Sequence, residues 1–151
     1  MSLHLAIVVS RFNEEITGRL LTAATAYLGE NEVSVRAEDI VWVPGAYELP
    51  GAAQALLRSY EYDGVICLGC VIKGDTAHFE YISWAASMGI MQVSLATQTS
   101  VTFGVLTTYD EAQALARCAD DSSNKGREAA AACLEMAALR RALKTRRAPK
   151  L

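Results

Sequence analysis

Leu3-His4-Leu5-Ala6-Ile7-Val8-Val9-Ser10 is an almost unbroken apolar, β-branched run near the start of the chain. A strand with one wet face alternates apolar and polar residues. A strand that does not alternate is covered on both faces, which is the condition of strands in parallel sheets. A helix is expected next, because Ile16, Leu20, Leu21, Ala24, Tyr27 and Leu28 recur at helical spacing. Asn13 with acidic Glu14 and Glu15 supplies its start, and Gly29 its stop. The alternation then repeats. Ile40 to Val43 reads as a strand, Leu49 to Arg58 as a short helix with Pro50 in its first turn, Gly64 to Gly69 as a strand and Glu80 to Met88 as a helix. Ile90 to Leu95 and Val101 to Leu106 read as strands, Asp110 to Cys118 and Lys125 to Leu143 as helices. Such a pattern predicts an α/β fold: a three-layer α/β/α sandwich with a central, mainly parallel sheet of roughly four to five strands in a flavodoxin-like layout.

The length of 151 residues suits one domain spanning 1–151, with residues 144–151 as a flexible basic tail. Apolar residues make up 52% and charged residues 21%, which excludes disordered and collagen-like classes. A net charge of −3 leaves no basic surface for a nucleic-acid backbone, and Arg140, Arg141, Lys144, Arg146, Arg147 and Lys150 crowd the last dozen residues instead. No apolar run approaches the ~18 residues of a membrane span, and no cleavable leader is visible, so a soluble, cytoplasmic protein is expected. Met1-Ser2-Leu3 and His4 carry no weight in this reading. Cys67 and Cys70 form a Cys-x-x-Cys, but the pair ends a strand rather than opening a helix, and three-residue spacing points the side chains to opposite faces. Cys118 and Cys133 are not a second close pair, so buried structural thiols are expected and no metal site.

In parallel α/β sheets ligands bind beyond the carboxyl ends of the strands. The residues to inspect are therefore Arg11-Phe12-Asn13, Pro44 to Glu48, Cys70 to His78, and Thr107-Thr108. Gly69 and Gly74 have the spacing of a phosphate loop, but Asp75 stands where its lysine belongs, so this is not a nucleotide-triphosphate loop. A glycine turn leading into a helix remains, whose backbone amides can hold an anion, with Thr76 adding a hydroxyl; helix capping by Asp75 or Thr76 is the competing explanation. His78 is the only histidine in the body of the chain. An imidazole can give and take protons at neutral pH, although surface histidines are common. Phe12 after the first strand offers a flat stacking surface or a core contact. Glu48 suits the hydroxyls of a ligand or simple exposure, and Arg117 and Lys125 suit phosphate or solvent. The alanine-rich last helix, Ala129 to Ala132 with Ala137 and Ala138, suits close packing in a core or at a subunit interface.

Taken together, five blocks resemble lumazine synthase, the enzyme of riboflavin biosynthesis: Ser10-Arg11-Phe12-Asn13; Val43 to Pro50; Val71-Ile72-Lys73-Gly74-Asp75-Thr76-Ala77-His78-Phe79-Glu80-Tyr81; Thr102 to Thr108; and Asn124-Lys125-Gly126 with Glu128-Ala129-Ala130. The likeness runs from about Ile7 to Leu143. It implies condensation of 5-amino-6-(D-ribitylamino)pyrimidine-2,4-dione with 3,4-dihydroxy-2-butanone 4-phosphate to 6,7-dimethyl-8-ribityllumazine, with no cofactor and no metal. On the matching positions, Phe12 would stack on the pyrimidine ring, and Ala46, Tyr47 and Glu48 would hold the ribityl chain and ring edge. Cys70, Val71 and Ile72 would line the pocket mainly through backbone. Asp75 and Thr76 would contact the phosphate, Asp75 through its backbone because a carboxylate is repelled there. Phe103 would close the far wall, Arg117 would grip the phosphate with Lys125 nearby, and His78 would move protons.

The resemblance also implies a homo-oligomer based on pentamers, with Phe103, Arg117 and Lys125 serving the pocket of the neighbouring subunit. Two features bear on larger shells in opposite senses. Many relatives have a strand before the first one here, which argues against a shell, whereas no insertion between Arg117 and Asn124 precludes one. The rival functions are an archaeal-type riboflavin synthase and a non-catalytic lumazine- or flavin-binding protein. The His78 and Glu48 blocks argue against the first, and intact Phe12, His78 and Arg117 against the second.

Overall fold

A computed structural model describes residues 2–146. The elements follow in the order β1 (Leu5–Ser10), α1 (Glu14–Glu30), β2 (Ile40–Val43), α2 (Leu49–Ser59), β3 (Gly64–Ile72), α3 (His78–Thr97), β4 (Ser100–Thr108), α4 (Glu111–Arg117) and α5 (Lys125–Thr145). The four strands form one sheet in the order β2-β1-β3-β4, and every pairing is parallel. β1 and β3 are the interior strands. All of β1 is buried, as is β3 up to Val71, which is why both read as continuous apolar runs.

Alternation along the strands separates two cores. Leu5, Ile7, Val9, Ile66, Leu68 and Cys70 face α1, α4 and α5, while Ala6, Val8, Val65, Cys67 and Val71 face α2 and α3. Cys67 and Cys70 thus point to opposite faces, as their spacing predicts. All four cysteines are free and buried. Burial pushes the thiols of Cys70 and Cys133 up to about 12, and that of Cys67 higher still, so these groups stay protonated and unreactive at neutral pH.

Several boundaries differ from the expectations. Ile90 to Leu95 is not a strand but the second half of α3. Ala86, Ile90 and Val93 face the sheet at helical spacing, while Met91 and Leu95 on the opposite side are also apolar and exposed. With both faces apolar, the helical period was hidden and the short run resembled a buried strand. Gly89 lies inside the helix: a Cβ there would stand 2.6 Å from Cγ of Pro50, so its absence lets α3 pass close to α2. Gly29 also lies inside its helix, and α1 ends against Asn31. Lys144 and Thr145 complete α5 rather than beginning a tail, and residues 147–151 lie outside the described residues. His4 is not idle. Its ring stands 3.1 Å from the Asp39 carboxylate and its Nδ1 2.9 Å from the Glu61 carbonyl, at the amino-terminal end of the sheet. Among the described residues no helix is long and apolar enough to cross a membrane.

Candidate active site

The strand order places a topological switch between β1 and β3. β1 is followed by α1 on one face of the sheet, and β3 by α3 on the other. Connections that leave adjacent strands toward opposite faces open a crevice at their carboxyl ends. A groove of about 530 Å³ lies there. Phe12 comes to it from the end of β1, Pro44 to Glu48 from the end of β2, Cys70 to Ile72 with Gly74 and Thr76 from the end of β3, and His78, Phe79 and Ile82 from the first turns of α3.

Each side chain is held by local rules. Phe12 sits in a three-residue link between β1 and α1 and is 70% exposed. The link is tied to the end of β2, since Arg11 N–H donates to the Val43 carbonyl at 2.7 Å and Phe12 N–H to that of Pro44 at 3.0 Å. Ala46 to Glu48 form a single 3₁₀ turn in which the Glu48 carboxylate accepts from Gly45 N–H at 3.0 Å. Pro50 then stands in the first turn of α2, where its missing N–H costs nothing. His78 is the first residue of α3; its N–H donates to Thr76 Oγ1 at 3.3 Å, and its exposed side chain borders the groove. Among the described residues the lining is largely apolar, with one carboxylate, Glu48, one imidazole, His78, and no Lys or Arg. It suits a flat ring with hydroxyl substituents and a group that shuttles protons, and it lacks a fixed cation for a phosphate.

The cations lie elsewhere. Phe103, Arg117 and Lys125 line a second groove of about 370 Å³ between β4, α4 and α5, with Glu128, Ala129 and Ala132. There Arg117 Nη1 donates to the Gln113 carbonyl at 3.0 Å, and Lys125 Nζ pairs with Glu128 Oε2 at 2.8 Å. Asp75 is exposed and lines neither groove, although Gly74 and Thr76 on either side of it line the first. Phe12, Ala46, Tyr47, Glu48, Cys70, Val71, Ile72, Thr76 and His78 are therefore brought together, and Phe103, Arg117, Lys125 and Asp75 are not brought to them.

Phe79 and Ile82 were missed because apolar residues early in a helix look like core. Glu128 was missed although its place one turn after Lys125 was a visible signal. Asn13, expected to cap α1, does not: its backbone is left-handed (φ 60°, ψ 47°), and its Nδ2 donates instead to the Cys70 carbonyl at 3.1 Å.

Comparison with known proteins points the same way. Residues 2–141 match the family model described as 6,7-dimethyl-8-ribityllumazine synthase. The chain is 59% identical over 130 residues to the 6,7-dimethyl-8-ribityllumazine synthase 1 of Caulobacter vibrioides, an alignment covering 86% of this chain and 85% of that protein.

Proposed function

The chain belongs to the 6,7-dimethyl-8-ribityllumazine synthase family, and we propose that the groove running from Phe12 to His78 is where it carries out that family's reaction. The protein is a transferase of riboflavin biosynthesis. It joins 5-amino-6-(D-ribitylamino)pyrimidine-2,4-dione to 3,4-dihydroxy-2-butanone 4-phosphate and releases 6,7-dimethyl-8-ribityllumazine, phosphate and water. The observation that carries the site assignment is the convergence of Phe12, Glu48 and His78, from the segments that follow three different strands, on one groove.

In this site Phe12 stacks on the pyrimidine ring, and Glu48 with the 3₁₀ turn of Ala46 and Tyr47 holds the ribityl hydroxyls. The backbone of Cys70, Val71 and Ile72 forms the floor. The pyrimidine amine attacks the ketone carbon, water leaves as the imine forms, phosphate is expelled, and the second amine closes the ring. Each stage moves a proton, the task assigned to His78. Holding two small reactants face to face in a largely apolar groove supplies much of the remaining acceleration. The amides near Gly74, Asp75 and Thr76 precede a 20-residue helix, α3, whose amino-terminal dipole favours the departing anion. Asp75 contributes backbone alone.

The missing cation is assigned to a second copy of the chain. Arg117, Lys125 and Phe103 of one subunit complete the groove of the next in a pentamer, with Arg117 and Lys125 gripping phosphate. Tyr81, Trp84, Met88, Met91 and Leu95 support association, because they form an exposed apolar stripe along α3 at the 3-4-3-4 spacing of a helix-packing seam.

The test is direct. Purified protein is mixed with the two substrates, and lumazine fluorescence is followed for the wild type and His78→Ala. The wild type should turn over, and the variant should lose about 10²-fold in kcat. A wild type that gives no acceleration over the uncatalysed reaction would overturn the assignment.

A further inference from the structure

We infer that Asn13 is a positioning residue for the aromatic wall of the groove: the hydrogen bond from its side-chain amide to the Cys70 carbonyl sets where the Phe12 ring stands relative to β3. The inference rests on the site assignment above and extends it to a residue that does not itself line the groove.

Phe12 is mostly exposed, so packing against its own chain does little to hold the ring. The backbone around it must do so. Arg11 and Phe12 bond through their amides to Val43 and Pro44, which fixes the link on the β2 side only. The tie to the β3 side is Asn13 Nδ2 to Cys70 O at 3.1 Å. Cys70 lines the groove, while its buried side chain belongs to the core under α1, α4 and α5. The ladder between β1 and β3 ends at Val9 and Leu68, while β3 continues to Ile72 beside β4 alone. The Cys70 carbonyl therefore needs a partner on the β1 side, and Asn13 supplies it.

Two local features show how far the residue is committed to this bond. Its backbone is left-handed (φ 60°, ψ 47°), a region that asparagine tolerates better than other residues bearing a Cβ. It also stands where an asparagine would ordinarily cap α1, yet its side chain makes no cap hydrogen bond. Its own carbonyl accepts from Ile16 and Thr17 N–H, so the backbone starts the helix while the amide is directed to β3.

Steady-state kinetics on wild type, Asn13→Asp, Phe12→Ala and the double variant separate this role from a structural one. Aspartate keeps the size and the left-handed tolerance but cannot donate to a carbonyl. The single variant should raise KM for the pyrimidinedione about tenfold, with KM for the butanone phosphate and kcat changed by less than about threefold. In the Phe12→Ala background the same change should alter that KM by less than about twofold, because the ring through which Asn13 acts is gone. If Asn13→Asp does not fold, Asn13→Gly, which permits the same backbone, takes its place. An equal factor in both backgrounds, or no effect in either, would overturn the inference while leaving the site assignment intact. An inert wild type would strike down the site assignment and the inference with it.

Discussion

Asp39 stands at the end of the sheet opposite the groove and is only 1% exposed. It survives there as a carboxylate because Arg36 Nε at 2.7 Å, Arg36 Nη2 at 3.1 Å and the Tyr62 hydroxyl at 2.7 Å donate to it, with the His4 ring 3.1 Å away. The Arg36 guanidinium, then Tyr62 and His4, hold its pKa down at about 2 against the opposing effect of burial. Burial and the neighbouring carboxylate push the Tyr62 hydroxyl up to about 12. A carboxyl held below its ordinary value stabilises the fold fully above that value, about 3.9. The contribution is lost as pH falls through the folded value. Asp39→Asn should therefore be less stable than wild type at pH 7, with the gap closing between about pH 4 and pH 2. Urea unfolding followed by circular dichroism across that range measures it; a gap independent of pH would refute the role given to Asp39. None of this cluster was legible in advance. Asp39, Tyr62 and His4 are ordinary surface types until the fold encloses them, and His4 had been set aside.

Among the elements, α1 and α5 show why the same residue type has opposite consequences at two places. Asn124 caps α5 through Oδ1, which accepts from Gly126 N–H at 2.8 Å and Arg127 N–H at 3.3 Å, and its Nδ2 donates to the Ala119 carbonyl at 3.0 Å. That capped turn lies directly on α1, where a Cβ at Gly126 would run into the Leu20 backbone. Gly18 on α1 has nothing within 4 Å of such a Cβ. Gly126→Ala should destabilise the protein by about 1–3 kcal/mol through overpacking. Gly18→Ala should stabilise it by about 0.5–1 kcal/mol, because glycine inside a helix is costly in entropy. Unfolding midpoints for the two variants check this, and shifts of the same sign would contradict it. Existence and type of β1, β2, β3, β4, α1, α2, α4 and α5 were readable from periodicity. α3 was half lost because its outer face is as apolar as its inner one.

For the whole molecule, the decisive fact is the division of the expected site into two grooves within one chain. If His78 of one subunit works with Arg117 of its neighbour, His78→Ala and Arg117→Ala, each crippled alone, should complement each other. Dissociated, mixed in equal amounts and reassembled, they should regain up to about a quarter of wild-type activity, the share of interfaces at which both functional side chains meet. No recovery above the two separate variants would mean that each chain works alone. A mixture of His78→Ala with itself supplies the baseline.

Local chemistry alone determined much of this protein. Burial on both faces removes the polar alternation from interior strands, so Leu5 to Ser10 and Gly64 to Gly69 announced a parallel sheet. The rule that ligands sit beyond strand ends then singled out Phe12, Glu48 and His78. Tertiary structure decided what spacing along a chain cannot carry. The order β2-β1-β3-β4 makes the three loops meet, Arg117 and Lys125 gather in a different groove, and the Asn13 amide reaches across to β3 instead of capping its own helix. Periodicity records which side of an element is apolar. It does not record which distant segment, or which other subunit, that side will meet.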